Sequence, residues 1–188
     1  MLNRLDARAP LVLDTRELSR RAGSQRELTR TVPAPADLGI EVLAVPEGSP
    51  VVLDLRLEAV MEGVLVTGTA RAGLEGECVR CLEDITDEVE VTFQELCVYP
   101  DHALTDEDDG VSALQDDLVY LEPLLRDAVV LALPFQPLCT DDCPGLCTEC
   151  GARLREDPEH THEAPIDPRW AALTTIDQAQ HDPSNTPD

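Results

Sequence analysis

The sequence contains no lysine, so its positive charge comes from fourteen arginines, which face thirty-eight acidic residues. Aromatic residues are also scarce, with two Phe, two Tyr and one Trp. Proteins that read single-stranded RNA by sequence stack bases on exposed aromatic rings. The composition therefore argues against sequence-specific recognition of single-stranded RNA.

Long apolar runs are absent as well, since no stretch reaches the roughly 18 residues of a membrane-spanning helix. The first residues, MLNRLDARAPLVLDTREL, lack the apolar core and cleavage site of a secretory signal. We therefore expect a cytoplasmic protein without a membrane partner. A length of 188 residues corresponds to roughly one domain with extensions.

The net charge of −24 is unevenly distributed along the chain. The first thirty residues carry seven arginines and four acids, a net charge of +3, so the remainder carries −27. Such asymmetry indicates an anionic partner for the N-terminal segment or a cationic partner for the rest, although a general preference for solubility gives the same bias. The arginines that would contact RNA phosphates are Arg16, Arg20, Arg21, Arg26 and Arg30.

Alternation of apolar and polar residues predicts β-structure in the first half of the chain. The runs SPVVLDLRLEAV and GVLVTGTARAGL, separated by a turn at MEG, indicate an antiparallel hairpin. A third run, ITDEVEVTFQELCVY, alternates in the same way, and Cys97 near its end is expected to be a buried small hydrophobe. We therefore predict three or more antiparallel strands in a twisted sheet or a small open barrel.

A helix is predicted in the segment YLEPLLRDAVVLALPF, where apolar residues recur at helical spacing. Pro123 suits its first turn, and Pro134 ends it. The face expected to cover the sheet contains Leu124, Leu125, Ala128 and Val129.

These patterns predict an α+β protein: an antiparallel β-sheet or small open barrel covered by one main helix, with a C-terminal cysteine-rich zinc-binding segment. Residues 1–35 would be an Arg-rich N-terminal segment with a Pro-rich connector, and 36–100 the antiparallel region. An acidic flexible loop would span 101–118, the helix and zinc-binding segment 119–176, and a disordered tail 177–188.

Four of the seven cysteines fall within twelve residues, CTDDCPGLCTEC. In a reducing compartment, clustered cysteines indicate metal ligands or redox groups rather than disulfides. Two residues lie between Cys147 and Cys150, and Gly151 follows, which is the spacing of a zinc knuckle. We therefore expect Zn²⁺ to be bound for structure.

Two groupings of the cysteines are compatible with one tetrahedral site. A long-range grouping would join Cys78 and Cys81, in ECVRCL, to the knuckle. A local grouping is favoured because closing a short loop costs less entropy than closing a long one. Its members are Cys139, Cys143, Cys147 and Cys150.

Six thiols are too many for one tetrahedral site and too few for two. His160 and His162, in HTH, are candidates to complete a second site because neutral imidazole is a good zinc ligand. The alternative interpretation is a pair of surface histidines.

Other uses of the cysteines fit the sequence less well. The CxxxCxxC spacing resembles that of radical enzymes, but there the motif follows an early strand of a large barrel. A thiol-disulfide motif should open a helix in a βαβ unit. A zinc with four thiolates has no open position for substrate, and Glu149 is expected to be a solvated loop residue. We therefore expect that the protein is not an enzyme and has no small-molecule substrate.

Four stretches occur in the order GTARAGLEGECVRCLEDI, YLEPLLRDAVVLALPFQPLC, CPGLCTECGARL and IDPRWAAL, which resembles the YceD family, the large ribosomal RNA subunit accumulation proteins. The resemblance covers about residues 10 to 175. It implies a role in the synthesis, processing or stability of large-subunit ribosomal RNA. Some similar proteins carry Cys-x-Cys at the positions of His160 and His162, which favours metal contact by this pair.

The predicted function is a non-enzymatic, zinc-stabilised factor that assists large-subunit rRNA accumulation or processing and ribosome assembly. Its partner would be a basic large-subunit ribosomal protein or the rRNA itself. The alternatives are a direct RNA-binding processing cofactor and a thiol or zinc redox sensor.

Overall fold

The structure, a computed structural model, describes residues 5–18, 20–102, 112–162 and 169. The elements found there are β1 (Val12–Asp14), a 3-10 turn (Arg16–Leu18), β2 (Gln25–Pro33), β3 (Leu38–Ile40), β4 (Leu43–Val45), β5 (Pro50–Ala59), β6 (Gly63–Glu77), β7 (Asp84–Val98), a second 3-10 turn (Pro100–His102), β8 (Leu118–Tyr120) and α1 (Glu122–Ala132).

The chain divides into two compact units, residues 1–143 and 144–188. In the described ranges, no helix has the length and apolar character needed to cross a membrane. Most of the predicted acidic loop, residues 103–111, and the predicted disordered tail, residues 177–188, lie outside the described residues.

The first unit is built on an open antiparallel sheet in which β6 is the central strand. Along one side β6 pairs with β7, and along the other it pairs first with β5 and then, near its end, with β4. Strand β2 pairs with β5, and β3 pairs with β4. Strands β1 and β8 form a separate two-stranded antiparallel ladder. The predicted sheet and its hairpin are confirmed.

The two faces of the sheet differ in polarity. The inward residues of β5 and β6 alternate with outward ones and join a single apolar core. The outward face carries ion pairs, such as the one between Arg71 and Asp54 at 3.0 Å. One buried and one solvated face is the usual arrangement of an antiparallel sheet.

Helix α1 covers the buried face by packing against β7 and β3. Its buried stripe repeats every four residues, because side chains four apart lie on one side of a helix. Of the residues predicted to face the sheet, Leu125 and Val129 are fully buried, whereas Leu124 and Ala128 pack at the edge of the stripe. The stripe consists of Leu121, Leu125, Val129 and Leu133.

The N-terminal segment is part of the sheet. Strand β2 pairs with β5 over its whole length, so the predicted Pro-rich connector shrinks to residues 34–37 between β2 and β3. Because β2 lies at the edge of the sheet, a proline at its end removes no necessary hydrogen bond. Most of its residues are exposed or half-buried, so an apolar alternation could not mark it as a strand.

Candidate metal centres

Eight cysteine and histidine side chains converge in two groups, and in each group all four ligand atoms lie within 4.8 Å of one another. The four-cysteine cluster consists of Cys78, Cys81, Cys139 and Cys143. The mixed cluster consists of Cys147, Cys150, His160 and His162.

The seventh cysteine, Cys97, lies in the apolar core and is 2% exposed. Burial, with a smaller contribution from the charge of Glu95, raises the pKa of its thiol to about 12. The expectation that Cys97 is a buried small hydrophobe is confirmed.

The first pair of the four-cysteine cluster lies in the connection between β6 and β7. The amide of Cys78 donates to the carbonyl oxygen of Glu83 at 2.8 Å, and the amide of Leu82 donates to the carbonyl oxygen of Cys78 at 2.9 Å. A side chain at Gly76 would clash with the carbonyl oxygen of Val42, so glycine lets the chain pass closely at this point. These bonds fix a tight knuckle at the end of the sheet.

The second pair follows α1 and is held against this knuckle by two hydrogen bonds. The amide of Val79 donates to the carbonyl oxygen of Pro137 at 3.0 Å. The guanidinium of Arg80 donates to the carbonyl oxygen of Cys143, also at 3.0 Å. These two bonds hold the chain after α1 beside the knuckle.

The sulfur positions fit a tetrahedral zinc ion. The Sγ atoms of Cys78 and Cys143 are 3.7 Å apart, and those of Cys81 and Cys139 are 3.5 Å apart. A Zn–S bond of about 2.3 Å gives a tetrahedron with edges of about 3.8 Å, whereas a disulfide would require about 2.05 Å. Four soft sulfurs within 4.8 Å of one another form a donor set that suits Zn²⁺ or an iron–sulfur centre.

The surroundings of the sulfurs favour only partial ionisation without a cation. Burial raises the pKa of the Cys78 thiol, but the amides of Cys139, Arg80 and Cys81 donate to its sulfur and lower the pKa to about 6. Burial and the neighbouring thiols raise the pKa of Cys81 to about 12. A bound divalent cation deprotonates coordinating thiols and would compensate all four thiolates.

The mixed cluster is built on a second knuckle with the same backbone geometry. The amide of Gly151 donates to the carbonyl oxygen of Cys147 at 2.9 Å, which matches the bond between Leu82 and Cys78. In each knuckle, the residue four positions after the first cysteine has a left-handed backbone conformation. Its φ is 73° at Gly151 and 57° at Leu82. Glycine adopts this conformation without strain, so the second knuckle has the more favourable residue.

Backbone amides also stabilise a thiolate in the second knuckle. The amides of Cys150 and Glu149 donate to the sulfur of Cys147 and, against the effect of burial, lower its pKa to about 6. Amides that point at the sulfur are a common feature of zinc knuckles and leave the thiolate ready for a metal.

The two histidines present the same nitrogen to the centre of the mixed cluster. Their Nε2 atoms are 2.9 Å apart, and each lies 3.2 Å from the Sγ atom of Cys150. These distances are a few tenths of an ångström shorter than the edges of about 3.3–3.6 Å expected around zinc. The arrangement converges on one point, as a metal site requires.

Carboxylates face the opposite nitrogen of each ring. The Nδ1 atom of His160 lies 3.6 Å from Asp157, and that of His162 lies 3.6 Å from Glu149. A proton held on Nδ1 by a carboxylate leaves the Nε2 lone pair free for a metal. Glu149 is half-exposed, which agrees with the expectation of a solvated loop residue, and its carboxylate lies within ion-pair distance of a candidate ligand.

The structure divides the predicted ligands differently from either grouping considered above. Cys139 and Cys143 lie with the sheet knuckle, whereas Cys147 and Cys150 lie with the two histidines. The local grouping assumed that the shortest loop closes most easily, but the folded sheet and helix have already brought the distant pairs together. The signal in the sequence was the ligand count, because six cysteines and two histidines fill two tetrahedra.

The five arginines proposed to contact RNA are spread over the N-terminal segment, and most of them make a surface contact with another group of the protein. Arg26 pairs with Glu17 at 2.8 Å, and Arg20 pairs with Asp117 at 3.1 Å while its guanidinium lies over the ring of Tyr99. Arg16 pairs with Asp14, and the guanidinium of Arg30 donates to the carbonyl oxygen of Val12. Arg21 is exposed.

Comparison with known proteins identifies the family of this chain. The family described as "Large ribosomal RNA subunit accumulation protein YceD" matches residues 66–177, a range that contains every member of both clusters. The chain belongs to the YceD family. The resemblance seen in the sequence is thereby confirmed.

Relatives extend the similarity beyond this range. Uncharacterized proteins of Mycobacterium tuberculosis and Mycobacterium bovis are each 48% identical over 170 residues, which cover 89% of this chain and 82% of theirs. The uncharacterized protein YlbN of Bacillus subtilis is 28% identical over 100 residues, which cover 53% of this chain and 58% of its own. No solved structure matches the chain.

Proposed function

We propose that the protein is a non-enzymatic, zinc-stabilised cytoplasmic factor that supports large-subunit rRNA accumulation by holding a basic ribosomal protein. The membership in the YceD family carries the ribosomal part of this proposal. The charge and the candidate metal centres of the chain carry the rest.

A structural role for zinc is supported by the completeness of each ligand set. Both clusters offer four protein ligands, and catalytic zinc sites keep one position for water or substrate. Closed sites of this kind stabilise a fold and do not activate a nucleophile.

A protein partner is favoured over RNA by the surroundings of the charged residues. Several of the arginines that could contact phosphates are engaged within the chain, and an RNA would have to displace those contacts. Strand β7, by contrast, carries five acidic residues and no basic one, and it lies at an edge of the sheet. An acidic edge strand attracts a basic chain and repels an RNA backbone.

Affinity capture tests the proposal. The tagged full-length protein, recovered from cells in about 150 mM salt, should carry a basic large-subunit ribosomal protein that mass spectrometry identifies. A double variant, Asp87→Asn with Glu88→Gln, should slow association with that protein, because clustered charge mainly sets the association rate. The matched control is Asp141→Asn with Asp142→Asn, which removes the same charge from an exposed turn outside β7.

RNA binding is the second candidate function, and the seven arginines of the first thirty residues favour it. Changing Arg20, Arg21 and Arg26 together to Gln should then weaken RNA binding and reduce its salt slope by roughly 0.7–0.9 per lost phosphate contact. RNA binding at about 150 mM salt that disappears in this variant, while the β7 variant behaves as wild type, would overturn the protein-partner proposal.

A further inference from the structure

The two clusters belong to different compact units and share no ligand. All four residues of the four-cysteine cluster lie in the unit that ends at residue 143, and all four residues of the mixed cluster lie in the unit that begins at residue 144. Each site is therefore complete without the other, and each can gain or lose its metal independently.

The units also differ in what else holds them together. The first contains the apolar core, which includes strands from across the sheet and the stripe of α1. In the described part of the second, residues 144–162, the only buried residue is Gly145, while Leu146 and Leu154 are half-buried. So short a segment, with its side chains this exposed, lacks the burial needed to fold alone.

Backbone hydrogen bonds around the second knuckle do not replace a core. The amide of Cys147 donates to the carbonyl oxygen of Ala152 at 2.8 Å, and the amide of Leu154 donates to that of Gly145 at 3.1 Å. An isolated two-stranded turn of this size is marginal in water. The order of this segment must come chiefly from the four ligands that meet at one point.

Access of solvent to the two centres differs in the same direction. Cys78, Cys81 and Cys143 are at most 5% exposed, and Cys139 is half-buried. Cys150 is exposed, and the side chains of His160 and His162 are 20% and 33% exposed. A chelator can reach the mixed cluster directly, whereas three of the four sulfurs in the four-cysteine cluster become accessible only after local opening of the first unit.

We infer that Cys147, Cys150, His160 and His162 form a second, exchangeable zinc site whose occupancy decides whether residues 144–162 are folded. The four-cysteine cluster loses its zinc much more slowly than this site does. The C-terminal unit is thus a metal-dependent module attached to a first unit that stays folded when this metal leaves.

Metal analysis of the full-length reduced protein is the first test. We expect two zinc ions per chain, of which EDTA removes one roughly tenfold or more faster than the other. Cys150→Ser and His160→Asn should each lower the content to one zinc, and Cys97→Ala, a thiol outside both clusters, should keep two. In the cobalt-loaded protein, thiolate-to-cobalt absorption of the Cys150→Ser variant should fall to about two-thirds, because four of six sulfur ligands remain.

Amide hydrogen exchange then tests the link to folding. In the Cys150→Ser and His160→Asn variants, protection of the Cys147 and Gly151 amides should disappear, whereas the Cys78 and Leu82 amides should stay protected. Unchanged protection at Cys147 and Gly151 after loss of the second zinc would overturn the inference. Release of both ions in a single step would overturn it as well.

The inference rests on the zinc assignment of the proposed function, and its failure can be told apart from the failure of that function. Wild-type protein that binds only one zinc ion, and a Cys150→Ser variant that retains that ion, would refute the exchangeable site alone. Protein that retains no zinc would refute the assignment itself, and capture of the ribosomal partner tests the ribosomal role separately.

Discussion

Replacement of Leu125 by alanine should strongly destabilise the first unit. Leu125 is 0% exposed and lies in the middle of the buried stripe of α1, between Leu121 and Val129. Leu→Ala changes in cores cost about 2–5 kcal/mol, with the larger values where the surroundings cannot collapse into the cavity. Because both neighbours are fixed on the same helix, we expect a loss of about 3–5 kcal/mol.

Urea unfolding in a zinc-replete, reducing buffer measures this loss. With a slope of about 1–3 kcal/mol per molar urea, the midpoint should fall by roughly 2 M. Leu131→Ala is the matched control, since Leu131 is 85% exposed on the same helix and the change in helix propensity is identical. The control should shift stability by less than about 0.5 kcal/mol. Equal shifts in both variants would show that α1 does not cover the sheet through this stripe.

Two further predictions concern the mixed cluster. Gly151→Ala places a Cβ atom on a residue with a φ of 73°, which costs about 1–2 kcal/mol. Zinc binding at the mixed cluster should therefore weaken roughly tenfold. The control Gly73→Ala, where a Cβ atom would meet nothing within 4 Å, should leave zinc binding unchanged. Glu149→Gln or Asp157→Asn should weaken zinc binding by about tenfold, the lower end of the range for carboxylates behind metal-binding histidines, because at 3.6 Å neither carboxylate makes a direct hydrogen bond to the ring. Competition with a chromophoric chelator measures both effects, and wild-type affinity in the Gly151 or the carboxylate variants would contradict the respective prediction.

The parts of the fold that the sequence predicts are those with a local periodicity. The hairpin of β5 and β6 and the helix α1 each bury a regular stripe, so the pattern of apolar residues reveals both their type and their direction. Strand β2 escaped prediction because only Val32 among its residues is buried. Its conformation is imposed by pairing with β5, which is a long-range interaction that single-sequence patterns do not contain.

The ligands of the candidate metal centres could be named from the sequence, but their partners could not. Spacing identifies Cys147 and Cys150 as a knuckle because both thiols project from one tight turn. It does not say which distant pair completes the tetrahedron. That choice depends on where β7 and α1 return the chain, and no loop-length argument on the unfolded chain includes this information.

The difference between the clusters follows from what orders each site before a metal binds. The β6–β7 ladder continues to the pair Glu77 and Asp84, so the knuckle that begins at Cys78 is closed by the sheet. The return of the chain after α1 is fixed by the helix stripe and by the bond from Val79 to Pro137. Under the proposed assignment, a zinc ion at the four-cysteine cluster would meet sulfurs that the sheet and helix bring together, and little of its binding free energy would be spent on ordering the chain. At the mixed cluster, a zinc ion would have to order the segment that carries its ligands, so we expect weaker binding there and greater sensitivity to any change in the turn.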